Sequence, residues 1–224
     1  MWKPLRPLPL AVLVLLALPA AAQSWSFGLG AGPFIFGKFL QRTQHISNGE
    51  TSVTTTSTLS AATRAGFAMD IGHDVGSRWG WRAEATYVEA PLRLKPSSGG
   101  GGVNIDAGRL RVTTLVVPLV LNFNTHGAFR FDLFGGPAYA MYTLHSSSST
   151  TASAQPFEGT RNRWGFAAGG GIDWWVTDRF AAEGRIEDTV TGSPVERSDV
   201  SSPGSVHILK PQNVHTTVGI RYRF

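Results

Sequence analysis

The sequence predicts an all-β chain, an eight-stranded antiparallel up-and-down β-barrel that crosses a membrane on its strands. Three observations carry that expectation. Eight segments alternate apolar and polar residues with the period of a strand. The connections between them alternate between short and long. A secretory leader precedes a chain that is poor in charge and rich in glycine.

The leader comes first. In MWKPLRPLPLAVLVLLALPAAAQS, Lys3 and Arg6 precede an apolar run from Leu8 to Leu18, followed by Pro19 and the small residues Ala20, Ala21 and Ala22. That order reads as a signal peptide over residues 1–22, which leaves residues 23–224 as one barrel domain. The apolar run is too short to span a bilayer, and no later segment holds eighteen uninterrupted apolar residues, so helical spans are not expected. The absence of cysteine excludes disulfides, thiolate metal sites and a cysteine nucleophile. Without Lys3 and Arg6 the net charge falls from +5 to +3, so the basic pI near 10.0 points only weakly to nucleic acid, which is not expected as a partner. Charged residues make up 16%, against roughly 25% in ordinary soluble domains, and there are 26 glycines. Both departures suit a wall that faces lipid.

The period-two segments, in order, are Trp25 to Gly37, Thr63 to Gly72, Trp79 to Leu94, Arg109 to Asn124, Ala128 to Leu144, Arg163 to Thr177, Phe180 to Thr191 and Val214 to Phe224. Connections after the second, fourth and sixth are short: His73 to Arg78, Thr125 to Gly127, and Asp178 to Arg179. Those after the first, third, fifth and seventh are long: Lys38 to Ala62, Lys95 to Gly108, His145 to Asn162, and Gly192 to Asn213. This rhythm is that of a bacterial outer-membrane barrel with periplasmic turns and extracellular loops, and an even strand count puts both termini in the periplasm. The loop runs TSVTTTSTLS, KPSSGGGG and SSSSTTASA hold few large apolar groups and are expected to be mobile. Pro33, Pro91, Pro118 and Pro137 are expected at strand ends or bulges, since each removes a ladder donor.

Which parity faces the interior follows from the sixth segment, RWGFAAGGGIDWWVT. One parity carries Trp164, Phe166, Ala168, Gly170, Ile172, Trp174 and Val176; the other carries Arg163, Gly165, Ala167, Gly169, Gly171, Asp173 and Trp175. Small residues among charges suit a crowded lumen, and the bulky parity then faces lipid. The charged parity of all segments supplies Arg64, Asp70, Arg82, Glu84, Arg130, Asp132, Asp173, Glu183, Arg185, Glu187, Arg221 and Arg223. Their six basic and six acidic groups are expected to pair as a lumen network, because an unpaired buried charge costs several kcal/mol. Trp164 and Trp174, ten residues apart on one face, are separated by about 25 Å along the membrane normal, which suits the two interfacial girdles. In the fourth segment Leu115 to Phe123 share parity with Arg109 and Arg111, so either a bulge shifts the phase or the arginines lie above the hydrocarbon.

The segments VVPLVLNF, FDLFGGPAYAMY, GFAAGGGIDWWVTDRFAAEGRIED and VGIRYRF resemble the small outer-membrane β-barrel superfamily that includes the outer membrane protein A transmembrane domain and the OmpX, OmpW and opacity-like types. The resemblance implies an integral outer-membrane protein, and it implies that Tyr222 and Phe224 form the signal read by the barrel assembly machinery. It also raises adhesion to host or surface ligands through the loops.

Eight strands enclose an interior that side chains can fill, so a wide diffusion pore is not expected, although a narrow channel stays open as an alternative. Arg93, Lys95, Arg109 and Arg111 fall on outward parities of one hairpin, where guanidinium groups could bind lipopolysaccharide phosphates; Glu89 shares their face. A lipid A deacylase-like enzyme is the other alternative, with His145, Ser147 and Glu158 as residue types for a base, a nucleophile and an orienting acid. No cofactor is expected, and the six histidines lack a close-paired metal motif. The overall expectation is a non-enzymatic barrel with a structural or surface-interaction role.

Overall fold

The protein is described as a computed structural model covering residues 25–47, 52–75, 77–97, 105–124, 126–146, 158–196 and 205–224. Twelve strands appear: β1 (Trp25–Phe36), β2 (Lys38–Ser47), β3 (Ser52–Ala61), β4 (Arg64–Val75), β5 (Trp79–Ser97), β6 (Ile105–Val116), β7 (Leu119–Phe123), β8 (Phe129–Ser146), β9 (Gly159–Trp175), β10 (Phe180–Thr191), β11 (Ser205–Ile208) and β12 (Gln212–Arg223). All pairings are antiparallel.

Eight wall positions close into a ring, in the order β1, β4, β5, β6 with β7, β8, β9, β10, β12 and back to β1. The closing seam runs from Ser26↔Arg223 to Phe36↔Asn213, and Phe224 N donates to Trp25 O at 3.0 Å. Both ends of the described chain therefore lie at one rim, called here the lower end. The short turns lie there too. In the turn between β9 and β10, Thr177 Oγ1 accepts from Arg179 N at 3.3 Å and Phe180 N at 3.0 Å, the local bonding that makes Thr a turn residue. Asn124 takes a left-handed φ of 53° before β8, a conformation Asn tolerates.

The upper end departs from the sequence expectation of mobile loops. TSVTTTSTLS falls largely in β3, which pairs with β2 to lengthen the first hairpin beyond the ring, and β11 adds to the other side of β2. Low hydrophobicity suggested a loop, yet Thr and Val are β-branched and favour a pleated wall. Phe39, Leu40 and Leu59 give this hairpin a buried face. After β10, Pro194 and Val195 are fully buried, so this connection turns inward rather than out. The runs KPSSGGGG and SSSSTTASA lie mostly outside the described residues.

Of the four prolines expected at strand ends or bulges, Pro33, Pro91 and Pro137 sit inside strands and Pro118 sits between two. Pro33 lies where the β1–β12 ladder is interrupted between Ala31↔Val218 and Phe34↔His215. Pro91 O receives Ala62 N at 2.9 Å, between β3 and β4. Pro137 lies within β8, and its carbonyl accepts Val117 N at 3.1 Å. Pro118 divides β6 from β7, but the two sides keep phase: Leu115, Val117, Leu119 and Phe123 are all exposed, while Val116, Pro118 and Val120 are buried. No bulge shifts the parity, so Arg109 and Arg111 lie on the outward face above the apolar belt.

The interior has two storeys. Below, it is charged. Above, Phe34, Phe36, Phe39, Leu40, Leu59, Val88, Leu92, Leu110, Val112, Tyr142, Leu144 and Val195 form one apolar cluster. The outer wall of the lower storey is a belt of exposed apolar groups, with Phe67 68%, Trp164 74% and Val218 71% exposed.

Candidate functional site: the barrel interior and its cationic rim

Inward parity places side chains of six wall strands in the lower storey. Arg221 on β12 is the hub. Its Nη2 lies 2.8 Å from Glu183 Oε2 and 3.2 Å from Asp70 Oδ1, its Nε lies 3.6 Å from Asp173 Oδ1, and its Nη1 donates to Ser26 Oγ at 3.1 Å. Arg185 bridges Glu84 and Glu183. Arg82 reaches Asp132 at 3.2 Å and Asp70 at 3.7 Å. Room for these groups comes from glycines on the same parity. A Cβ at Gly28 would lie 2.2 Å from Asp70 Oδ2, and one at Gly171 would lie 3.0 Å from Asp132 Oδ1.

Two residues expected in this network lie apart from it. Arg64 is exposed on the outside, because its cross-strand neighbour Phe34 fills the interior at that level. Arg223 is only half-buried at the lower mouth, with its guanidinium 3.9 Å from the centroid of the Trp175 ring. Two ionisable residues join that the sequence reading does not include. Asp74 receives both terminal nitrogens of Arg130 at 2.9 and 3.0 Å; it lies two residues past the expected strand end but on the inward parity. His215 lies 3.4 Å from Glu84 Oε1 and 3.8 Å from Glu187 Oε1, and a histidine falls outside a reading built on arginines and carboxylates. Thus the balance of six against six does not describe the buried set.

The storeys meet at His215, whose ring stacks on Phe34 at 4.7 Å. Above it, Tyr142 Oη lies 2.5 Å from Thr191 Oγ1 and accepts Asn213 Nδ2 at 3.1 Å. Arg163 ties the inward-turning connection to the wall, donating to Ser193 O and Glu196 Oε1, each at 2.6 Å.

The four cations expected at the rim, Arg93, Lys95, Arg109 and Arg111, are all exposed. Glu89 lies 3.5 Å from Arg109 and 3.4 Å from Arg111. Arg64, Glu89, Pro91, Asp106 and Arg109 line a cleft of 290 Å³, so the misplaced arginine belongs to this face. An apolar groove of 570 Å³ crosses the belt nearby, between Leu29, Phe67, Met69, Tyr87, Val218 and Ile220, and reaches Thr113, two residues along β6 from Arg111. Tyr222 packs between Phe180 at 4.8 Å and Phe224 at 5.3 Å on the lower girdle. Of the enzyme candidates, His145 and Glu158 are both exposed, and Ser147 lies outside the described residues.

Comparison with known proteins gives a consistent result. The chain is similar to the outer membrane protein OprG from Pseudomonas aeruginosa, at 13% identity and a TM-score of 0.59, covering 90% of this chain and 97% of that one. It is also similar to Neisserial surface protein A, at 11% identity, a TM-score of 0.48 and coverage of 88% and 97%. A third is the attachment invasion locus protein Ail of Yersinia pestis, at 14% identity, a TM-score of 0.43 and coverage of 90% and 99%. No curated protein matches by sequence. The family model described as outer membrane protein beta-barrel domain matches residues 8–224, and the chain belongs to that family: it is an outer-membrane β-barrel protein.

Proposed function

We propose that this protein is a sealed, non-enzymatic barrel with a structural and surface-interaction role, its lower end periplasmic and its long hairpins extracellular. The observation that carries the reading is the filling of the interior at both levels, by ion-paired side chains below and by an apolar cluster above. An interior filled in this way by the described residues supports a lumen closed to solutes, so planar bilayers containing the protein should show no conductance steps. Residues 1–22 are its cleaved signal, and Tyr222 with Phe224 forms the aromatic signal for the barrel assembly machinery.

On the outer face, Arg93, Lys95, Arg109 and Arg111, joined by Arg64, contact phosphates of lipopolysaccharide, with acyl chains lying in the groove below. Two features support this: cations outnumber Glu89 and Asp106 on that face, and apolar wall continues directly beneath them. Arginine suits phosphate because its donors match two oxygens at once. Substituting Arg93, Lys95, Arg109 and Arg111 together with Gln should reduce lipopolysaccharide co-purification several-fold while heat-modifiable gel migration is retained. Unchanged co-purification would remove the reading. Lipid A mass spectra from cells with and without the protein should be identical; a lost or gained acyl chain would restore the enzymatic alternative.

A further inference from the structure

Among the described residues the buried interior holds four arginines, Arg82, Arg130, Arg185 and Arg221, against six carboxylates, Asp70, Glu84, Asp132, Asp173, Glu183 and Glu187. At the lower mouth the partly exposed Asp74 and Arg223 are opposite in sign and offset one another. Two negative charges are thus left in excess in a space shielded from water, where charge persists only if something compensates it.

The excess can be located. Asp70, Asp132 and Asp173 each have an arginine within 3.6 Å, and Glu183 is held by two. Glu187 differs: no arginine among the described residues pairs with it, and its ionisable neighbour is His215, whose Nδ1 lies 3.8 Å from Oε1. Glu84 gives one oxygen to Arg185 and leaves the other free of hydrogen bonds. Glu84 Oε1, Glu187 Oε2 and His215 Nε2 are all buried without a hydrogen-bond partner, on residues 3%, 0% and 4% exposed. The three residues each offer a ligand atom, and these atoms lie within 4.8 Å of one another.

Between Glu84 and His215 the spacing suits a shared ion better than a hydrogen bond, and Glu187 closes on the same point by a small side-chain rotation. His215 Nε2 and Glu84 Oε1 are 3.4 Å apart, beyond the roughly 2.7–2.9 Å of a charge-assisted bond. Two ligands on a tetrahedral ion with bonds of about 2.1 Å are separated by roughly that 3.4 Å. Neighbouring groups hold the three side chains in place. Arg185 holds the second oxygen of Glu84, Thr189 Oγ1 donates to Glu187 Oε1 at 2.9 Å, and Phe34 stacks on the imidazole with an interplanar angle of 11°.

We propose that Glu84, Glu187 and His215 bind one divalent transition-metal ion, of the class that accepts mixed oxygen and imidazole donors as Zn²⁺ does. Its charge offsets the excess of two. Glu84 stands on β5 and Glu187 on β10, four places apart in a ring of eight, so the ion braces the lumen across its diameter. It also sits under the apolar cluster and closes the charged storey from above.

The test uses the full chain refolded in detergent, with Zn²⁺ or Co²⁺ added during refolding so that entry does not limit loading. Wild type, after removal of loosely bound ions, should retain one equivalent of Zn²⁺ and resist heat unfolding better than protein refolded with chelator. Co²⁺ should give the intense visible bands of a tetrahedral site. His215→Ala and the near-isosteric Glu187→Gln should each weaken binding by more than about tenfold, the least that even a supporting contact is worth, while retaining folded gel migration, whereas His145→Ala should leave it unchanged. Wild type that folds but retains no Zn²⁺ would overturn the proposal, as would binding unaltered in the Glu84→Gln/Glu187→Gln/His215→Ala variant. If the variants fold poorly, the wild-type stoichiometry and the Co²⁺ spectrum still decide.

Discussion

Strand β5 runs through both storeys of the barrel without changing which residues point in. In its lower half the outward residues are Trp81, Ala83, Ala85 and Tyr87, and the inward ones are Arg82, Glu84 and Thr86. In its upper half the outward residues are Glu89, Arg93 and Lys95, and the inward ones are Val88, Ala90 and Leu92. The parity is constant while the chemistry on each side reverses. Hydrocarbon bathes the lower wall, so apolar groups face out and charges must find one another inside. Water bathes the upper wall, and the same wall becomes a soluble barrel with an ordinary core. The difference teaches that alternation reports the strand, and that the identity of the alternating groups reports the solvent.

That contrast can be broken at several points, and the expected losses differ in size. Removing Arg185 by Arg185→Leu leaves Glu84 and Glu183 without their shared partner and should cost about 3–5 kcal/mol, measured by denaturant titration in lipid vesicles. A charge placed in the belt, Leu133→Arg, should cost about 2–4 kcal/mol, since Leu133 is 57% exposed on the lipid-facing wall. In the upper storey the fully buried Leu110 should lose about 2–5 kcal/mol on Leu110→Ala, through the cavity left behind. Leu119→Ala on the lipid face should cost about 1 kcal/mol or less, because lipid refills the space. The smallest effect belongs to the rim. Glu89→Gln breaks contacts to Arg109 and Arg111 that are largely exposed, so stability should change by less than about 1 kcal/mol. The same change raises the net positive charge of that face and should increase lipopolysaccharide retention.

Much of the fold was legible in the sequence, and the reason is the period of two. The eight wall segments, the lipid-facing parity and the rhythm of short and long connections all follow from local alternation and turn residues. What was not legible depends on contacts between distant strands. Arg64 shares parity with Asp70, but only the packing of Phe34 across the sheet shows that the interior is already full at its height. The ligand trio comes from β5, β10 and β12, so no spacing motif could announce it. The upper storey was readable in principle: VEAPLRLK continues the alternation with its sides exchanged. Its outward side is legible, since Arg93, Lys95, Arg109 and Arg111 follow from the outward parity; its apolar interior of Val88, Ala90 and Leu92 is not, because a charged lumen below suggests a charged lumen throughout and Thr-rich composition suggests loop rather than a β-branched wall.

The most direct test is residue-by-residue solvent mapping on β6 and β7, made simple by the absence of native cysteine. Single cysteines carrying a spin label at positions 109 through 123 would be probed with oxygen, which concentrates in lipid, and with a water-soluble nickel chelate. Outward positions 115, 117, 119 and 121 should relax with oxygen, outward positions 109 and 111 with nickel, and inward positions 110, 112 and 116 with neither. Nickel reaching the outward positions of the belt, or oxygen preferring the inward ones, would contradict that arrangement.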